Sequence, residues 1–207
     1  MTFIDISPPI DSSIQVWPGD TPFAHSINLD MKAGANITLS EIHTTVHVGA
    51  HADAPAHYVR DGMDIASRRL EFYIGRCVVL RVPVRRGERV IVEHLDGKVL
   101  SAPRVLLRTG TFPNPRKWNN DFAYLSPALV EHLYQHGVML VGIDTPSVDA
   151  FDSKTLEAHQ VFAHNDMAML EGLMLDHVEE GEYELIAPPL PLVGADASPV
   201  RAVLRTL

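Results

Sequence analysis

The chain has 207 residues, of which 46% are hydrophobic and 21% are charged, so it can bury a substantial core and has the composition of an ordinary globular protein. Its formal net charge of −9 argues against a nucleic-acid-binding surface and gives no sign of membrane affinity. There is no signal-peptide pattern, no apolar stretch approaching the roughly 20 residues of a membrane span, and one cysteine, Cys77. We therefore expect a cytoplasmic protein with a single domain over residues 1–207, and no nucleic-acid or membrane partner.

In chain order, short strands alternate with a few helices. Residues 3–6 form the first expected strand, and the segment around Trp17 is then fixed as a loop by Pro18, Gly19 and Pro22. Alternation and apolar runs predict further strands at 24–29, 37–48, 76–82, 104–108, 138–143, 183–187 and 200–206. Capping residues and helical periodicity predict helices at 67–74, 90–95, 126–136 and 154–164. Buried strands interleaved with helices indicate an α/β fold with a mixed sheet.

Residues 43 to 57 concentrate four of the eleven histidines and one carboxylate. All five occupy odd positions: His43, His47, His51, Asp53 and His57. An extended backbone would place such positions on one face. Two pairs are also spaced i, i+4, but β-branched neighbours, Gly49 and Pro55 disfavour a helix. We therefore expect a strand to about Val48, followed by an alanine-rich loop over residues 50–56.

Imidazoles combined with a carboxylate are what a borderline divalent ion binds, so this segment predicts a metal site. Glu171 stands alone in the apolar run 166–175, and a lone carboxylate is seldom buried without a partner. It is therefore either turned to solvent or a further metal ligand. Trp17 is either a hydrophobic plug over the core or, if its loop folds over the metal site, part of that site.

The run from His47 to His57 resembles the signature His-x-Gly-Thr-His-x-Asp-x-Pro-x-His of the metal-dependent cyclase/hydrolase family. Residues 17–20, 159–171 and 191–201 are similar to other segments of that family. The resemblance implies a fold of the swivelling β/β/α type and a homodimer or larger assembly. Ala50 in place of threonine and Trp17 in place of tyrosine resemble the branch that hydrolyses N-formyl-kynurenine to kynurenine and formate.

The resemblance also implies two zinc ions per subunit, with other divalent ions such as manganese as alternatives. The implied ligands are His47, His51, Asp53, His159 and Glu171. His47, His51 and Asp53 would hold one ion. Asp53, His159 and Glu171 would hold the other, so Asp53 would bridge the two ions. His57 matches a proton-transfer residue of the family and not a ligand, and we expect Trp17 to stack on the aromatic ring of the substrate.

Three alternatives stay open. The substrate could be another amide, a lactam or an ester, such as isatin. His51, Asp53 and His159 could form the facial triad of a non-haem iron oxygenase, although that leaves His47 and Glu171 without purpose. The metal could be structural, but structural zinc sites are typically closed by four ligands, often cysteines. A zinc-dependent hydrolase is the function that we expect.

Overall fold

A computed structural model describes all of residues 1–207. The strands, numbered in chain order, are β1 (Phe3–Asp5), β2 (Ala24–Leu29), β3 (Leu39–His43), β4 (His51–Asp53), β5 (Ile74–Arg81), β6 (Arg89–Val90), β7 (Arg104–Arg108), β8 (Tyr124–Leu125), β9 (Leu140–Ile143), β10 (Ala168–Glu171), β11 (Gly181–Ile186), β12 (Ala197–Pro199) and β13 (Val203–Thr206). The α-helices are α1 (Pro127–Gln135) and α2 (Glu157–His164). Neither helix is long and apolar enough to cross a membrane.

Nine strands form one mixed sheet in the order β1-β13-β11-β5-β7-β9-β10-β4-β12. The four central strands, β5, β7, β9 and β10, run parallel to one another. On either side of them, β11 pairs antiparallel with β5 and β4 pairs antiparallel with β10. β6 and β8 form a small parallel pair, and β2 and β3 form a separate antiparallel ribbon. The predicted α/β fold with a mixed sheet is confirmed.

The central strands are buried on both faces, which explains their continuous apolar sequences. On one face, α1 and α2 pack over side chains such as Val105 and Val141. On the other face, Leu106 and Leu170 pack in a second core with residues of β11 and β13. α1 begins as predicted, where the Ser126 hydroxyl accepts a hydrogen bond from the Leu129 amide at 3.1 Å.

The histidine-rich segment is not a continuous strand, so the prediction of a strand to Val48 was wrong. β3 ends at His43, and residues 44–50 form an irregular loop in which Gly49 has a φ of +65°. Just after β3, the Thr45 hydroxyl accepts a hydrogen bond from the His47 amide at 3.2 Å, a local turn that takes the backbone out of strand pairing. The chain re-enters the sheet at β4, between β10 and β12. The expected alanine-rich loop is therefore partly a strand, and its alanines pack into the core.

Three other segments also differ from prediction. The helix expected over 90–95 is the end of β6 followed by a 3-10 turn, Val92–Leu95. The helix expected over 67–74 is replaced by two 3-10 turns, Ile65–Ser67 and Leu70–Phe72. Arg68 is extended between them because its guanidinium is buried against Asp166 and the Met167 carbonyl. The linker expected between the last two strands contains β12, whose Ala-Ser-Pro sequence carries little strand signal.

Candidate metal centre

β4 and β10 place three of the predicted ligands side by side. In the antiparallel register, His51 lies directly opposite Glu171, so both side chains project from the same face. Asp53, two residues further along β4, shares that face. Each of these residues is only 2% exposed. Glu171 is therefore not turned to solvent.

His47, from the loop before β4, and His159, from α2, reach the same point. His47 Nδ1 lies 3.1 Å from Asp53 Oδ1, and His51 Nε2 lies 3.4 Å from that atom. His159 Nε2 lies 3.5 Å from the other oxygen, Asp53 Oδ2. The two carboxylate oxygens of Glu171 also face different histidines. Oε2 lies 3.3 Å from His51 Nε2, and Oε1 lies 3.8 Å from His159 Nε2. The two carboxylates thus lie between histidines on either side.

Asp53 is the clearest sign that a cation belongs in this cluster. Both of its carboxylate oxygens, and His159 Nε2, are buried without a hydrogen-bond partner. Burying such groups unpaired is costly, and a coordinated cation removes that cost. Three imidazoles and two carboxylates are ligands suited to a borderline divalent ion such as zinc or manganese. The residues present therefore fit the implied metal.

The same cluster binds protons strongly. Burial would lower the pKa of His47, but a hydrogen bond with Asp196 and the negative charge of Asp53 outweigh it and raise that pKa to about 10. Burial is likewise outweighed at His159, where Asp149 and Asp53 raise the pKa to about 10. Burial would raise the pKa of Asp53, but His159 and His47 hold it well below its usual range. A divalent ion must displace the protons of both histidines to bind here.

Surrounding groups orient the ligands. His159 Nδ1 donates to Asp149 Oδ2 at 2.7 Å, and Asp149 also accepts from the Ala158 and His159 amides at the start of α2. His51 Nδ1 donates to the Gly49 carbonyl at 3.0 Å. Both contacts leave Nε2 directed at the carboxylates, because a hydrogen bond at Nδ1 fixes the tautomer and the orientation of the imidazole ring.

His57 lies beside the ligands at the more exposed side of the site. Its Nδ1 is 3.1 Å from Asp196 Oδ2, and the same oxygen is 2.9 Å from His47 Nε2. His47 and His57 lower the pKa of Asp196. His57 also comes within 4.8 Å of Asp53 and His159 by their ligating atoms. His57 therefore belongs to the same cluster of metal-binding side-chain types as the predicted ligands.

Sequence reasoning assigned no role to Asp149 or Asp196. Asp149 lies in the loop that follows the buried strand β9, and such loops commonly carry functional side chains. That position was the available signal. Asp196 reaches the site only because β12 pairs with β4, and nothing local in the sequence indicates that pairing.

A cavity of about 510 Å³ opens onto the cluster. Residues 14–20 form one wall, so the loop of Trp17 does fold over the site. The Trp17 ring stacks on the Phe151 ring with centroids 5.0 Å apart. The Trp17 and Trp118 rings form a T-shaped contact with centroids 5.4 Å apart. The structure thus brings together all seven residues predicted for the site, and adds Trp118 and Phe112 to the aromatic lining of the cavity, with Phe151 packed against Trp17.

Comparison with known proteins decides the family. The model of the family described as "Putative cyclase" matches residues 4–150. The kynurenine formamidase of Bordetella pertussis is 45% identical over 204 residues, which cover 98% of this chain and 97% of that protein. The chain belongs to the cyclase family.

Solved structures agree with membership of the cyclase family. A potential metal-dependent hydrolase with cyclase activity matches with a TM-score of 0.83 at 24% identity, over 98% of this chain and 96% of that one. An isatin hydrolase bound to the product analogue thioisatinate matches with a TM-score of 0.81 at 16% identity, over 98% and 91%. These structures show the shared fold. Together with the 45% identical relative, they confirm the predicted family and the prediction of a hydrolase.

The metal centre depends on a close backbone approach at Gly172. Its φ is +67°, and a Cβ there would lie 2.3 Å from the Gly49 carbonyl oxygen that holds His51. Gly172→Ala should therefore displace His51 and Glu171, with loss of bound metal and roughly 1–3 kcal/mol of stability. Elemental analysis and chemical unfolding measure these effects. Gly137→Ala is the control, because its φ is +80° with no atom within 4 Å. Full metal in the Gly172 variant, or equal metal loss in the control, would contradict this account.

Metal binding should release protons. Because the pKa values of His47 and His159 are about 10, both histidines are charged at pH 8 in the metal-free protein. Binding there should release about two protons per chain, and affinity should rise with pH between 7 and 10. Titration calorimetry in buffers of different ionisation enthalpy counts the protons, with His132→Ala, outside the cluster, as control. Metal binding without proton release would show that the ion does not displace the protons of the two histidines.

Proposed function

We propose that this protein is a metal-dependent arylformamidase that hydrolyses N-formyl-L-kynurenine to L-kynurenine and formate in tryptophan degradation. The observation that carries the proposal is the buried cluster around the unpaired Asp53 carboxylate, which adjoins an aromatic-lined cavity. Its substrate is suggested by the 45% identical kynurenine formamidase. We also propose that residues 1–207 form one catalytic domain, because the main sheet uses strands from β1 to β13.

Two divalent ions, zinc or manganese, would be held by five residues: His47, His51, Asp53, His159 and Glu171. The division of the Asp53 oxygens between His47 on one side and His159 on the other supports a bridging role. Such ions, when bound, would supply Lewis-acid activation of the formyl carbonyl and of water.

His57 would move the proton. The ionised Asp196 carboxylate accepts a hydrogen bond from His57 Nδ1, so Nε2 is the nitrogen available to receive a proton. His57 would take a proton from the attacking water and deliver it to the aryl nitrogen as kynurenine leaves.

The aromatic wall would hold the substrate's ring. Because Phe151 stacks on one face of Trp17, the substrate would meet the other face or the neighbouring edge of Trp118. Pro18 and Pro22 restrict the backbone of the Trp17 loop, so little freedom is lost when the ring is bound. This contact would align the formamide for attack.

The alternatives have less support. Isatin as substrate rests on shared fold at 16% identity, compared with 45% for the formamidase. The facial triad of a non-haem iron oxygenase would use three ligands, whereas five predicted ligands, Asp53 and Glu171 among them, converge in this cluster. A structural ion would be enclosed by its ligands, whereas this cluster adjoins a cavity. A cytoplasmic location, a homodimer and the absence of nucleic-acid or membrane partners stay predictions.

Variants should separate the proton carrier from the ligands. His57→Asn should lower kcat by roughly 10²–10⁴-fold with full metal content. Asp53→Ala should lose both ions or retain one weakly, and His159→Ala should lose metal and activity together. Elemental analysis and steady-state kinetics measure these effects. A metal-depleted His57→Asn protein would make His57 a ligand. One iron per chain with oxygen-dependent activity would overturn the hydrolase assignment.

Substrate choice tests the proposed function directly. The values of kcat/KM should be compared by ultraviolet absorbance for N-formyl-kynurenine, N-acetyl-kynurenine, a formamide without an aromatic ring, and isatin. We expect N-formyl-kynurenine to be cleaved fastest, because an acetyl methyl must be packed beside the attacked carbon. Trp17→Ala should raise KM, whereas the exposed control Tyr134→Ala should not. A preference for isatin would select the alternative substrate, and equal rates on the ring-less formamide would remove Trp17 from the binding site.

A further inference from the structure

The lining of the cavity is acidic outside the candidate metal centre. The only charged side chains that it contains there are Asp20 and Asp144, and no lysine or arginine lines the cavity. A cleft lined by charge of one sign attracts ligands of the opposite sign. Beyond the metal centre, the cavity is therefore suited to a cationic group, and it offers no ion pair to an anionic one.

Asp144 is already used by the fold. It is 5% exposed, and its oxygens accept hydrogen bonds from the Thr109 and Gly110 amides at 2.8 to 3.0 Å and from the Thr109 hydroxyl. These contacts join the chain after β7 to the chain after β9. A ligand would have to displace several hydrogen bonds to reach this carboxylate.

Asp20 is the carboxylate with unused capacity. Its side chain is exposed, forms no ion pair, and accepts one hydrogen bond, from the Thr21 amide to Oδ1 at 2.7 Å. The two oxygens of a carboxylate together offer about four acceptor sites. Oδ2 is therefore free to accept hydrogen bonds from an ammonium group in the cavity.

One tight turn holds Asp20 and Trp17 together. The Asp20 amide donates to the Trp17 carbonyl at 2.9 Å, and Pro18 and Gly19 lie between them. Gly19 has a φ of +97°, which is typical of the third residue of a type II turn with proline in second place. The Cα atoms at the two ends of such a turn lie within about 7 Å of each other. The turn therefore presents an aromatic ring and a carboxylate as one unit.

Arg116 braces the segment before this turn and leaves Asp20 without a cationic partner. Its Nε donates to the Ser13 hydroxyl at 2.7 Å, and its Nη2 donates to Asp11 Oδ2 at 2.8 Å. These contacts join the two loops that carry the tryptophans of the cavity. Because the charge of Arg116 is paired with Asp11, the negative charge of Asp20 stays available to a ligand.

We propose that Asp20 binds the α-ammonium group of the substrate, so that the enzyme recognises an amine and not a complete amino acid. This inference rests on the proposed arylformamidase function. In N-formyl-kynurenine, four bonds separate the aromatic ring from the amino nitrogen, a reach of about 5 Å. That reach is comparable to the span of the turn from Trp17 to Asp20. The α-carboxylate finds no lysine or arginine in the cavity and points to solvent.

Three substrates that differ at the amino-acid end test the inference. They are N-formyl-kynurenine, its decarboxylated analogue N-formyl-kynurenamine, and its deaminated analogue 4-(2-formamidophenyl)-4-oxobutanoate. The wild-type enzyme should cleave the first two with kcat/KM values within about threefold of each other. The deaminated analogue should be roughly 3–10-fold poorer, a modest factor because ion pairs of an exposed carboxylate are weak.

Asp20→Asn should act only on substrates that carry the ammonium group. Their KM should rise roughly 3–10-fold with kcat within about twofold, because this contact is remote from the formyl group. The KM of the deaminated analogue should not change, since the asparagine carbonyl can still accept from the Thr21 amide and keep the turn. The control is Glu93→Gln, which removes one exposed charge outside the cavity lining and should change none of these values.

Steady-state kinetics at physiological ionic strength measures all of these effects. An equal rise in KM for the three substrates would make Asp20 a residue that only shapes the turn. Unchanged KM values in Asp20→Asn, or a decarboxylated substrate cleaved more than tenfold more slowly than N-formyl-kynurenine, would also overturn the inference while leaving formamide hydrolysis in place. If the variant folds poorly, the wild-type comparison decides. Failure of the metal-loaded wild type to cleave any of the three would instead overturn the proposed function.

Discussion

The buried carboxylate of Asp53 is the constraint on which the site depends. Two oxygens of one side chain sit in the interior, and no backbone or side-chain donor satisfies them. Most buried carboxylates receive hydrogen bonds, and those that do not are typically paired with a cation or coordinate a metal ion. The histidines at 3.1–3.5 Å supply charge, and the same imidazoles are the groups that would share a dication with it. Protons and metal ions therefore compete for one set of atoms.

The scaffold around Asp53 is built to bring backbones close together. Ala52 and Ala54 lie on either side of Asp53 and are fully buried, so β4 fits tightly between β10 and β12. Gly172 lets the chain after β10 approach the Gly49 carbonyl. Small residues at these points leave the large imidazoles free to fill the space on the ligand side. The buried alanines Ala50, Ala52 and Ala54 are thus packing residues, and His51 and Asp53 between them face the cluster.

Sequence reasoning succeeded where the signal is local. The apolar runs of β5, β7 and β9 and the Ser126-Pro127 start of α1 are each specified by neighbouring residues. The His47–His57 motif concentrates most of the site in eleven positions. The apolar run around Glu171 left it open whether that residue is a further ligand, and the resemblance to the family favoured that choice and added His159. The failures share one cause, which is that distant parts of the chain override local preference. A turn closed by the Thr45 hydroxyl and the His47 amide follows the strand that was expected to reach Val48, buried Arg68 breaks the expected helix, and β12 forms only because β4 is there to pair with.

The placement of β4 has a consequence for how the protein matures. This three-residue strand has β10, from residues 168–171, on one side and β12, from residues 197–199, on the other. Pairings between strands so far apart in sequence form slowly, because the entropy of closing a long loop is lost before the strand contacts stabilise the structure. On the ribosome, the histidine motif emerges more than a hundred residues before either neighbour exists. The cluster around Asp53 therefore assembles only after residues 168–171 have joined the sheet beside β4, so the emerging chain contains no preformed site.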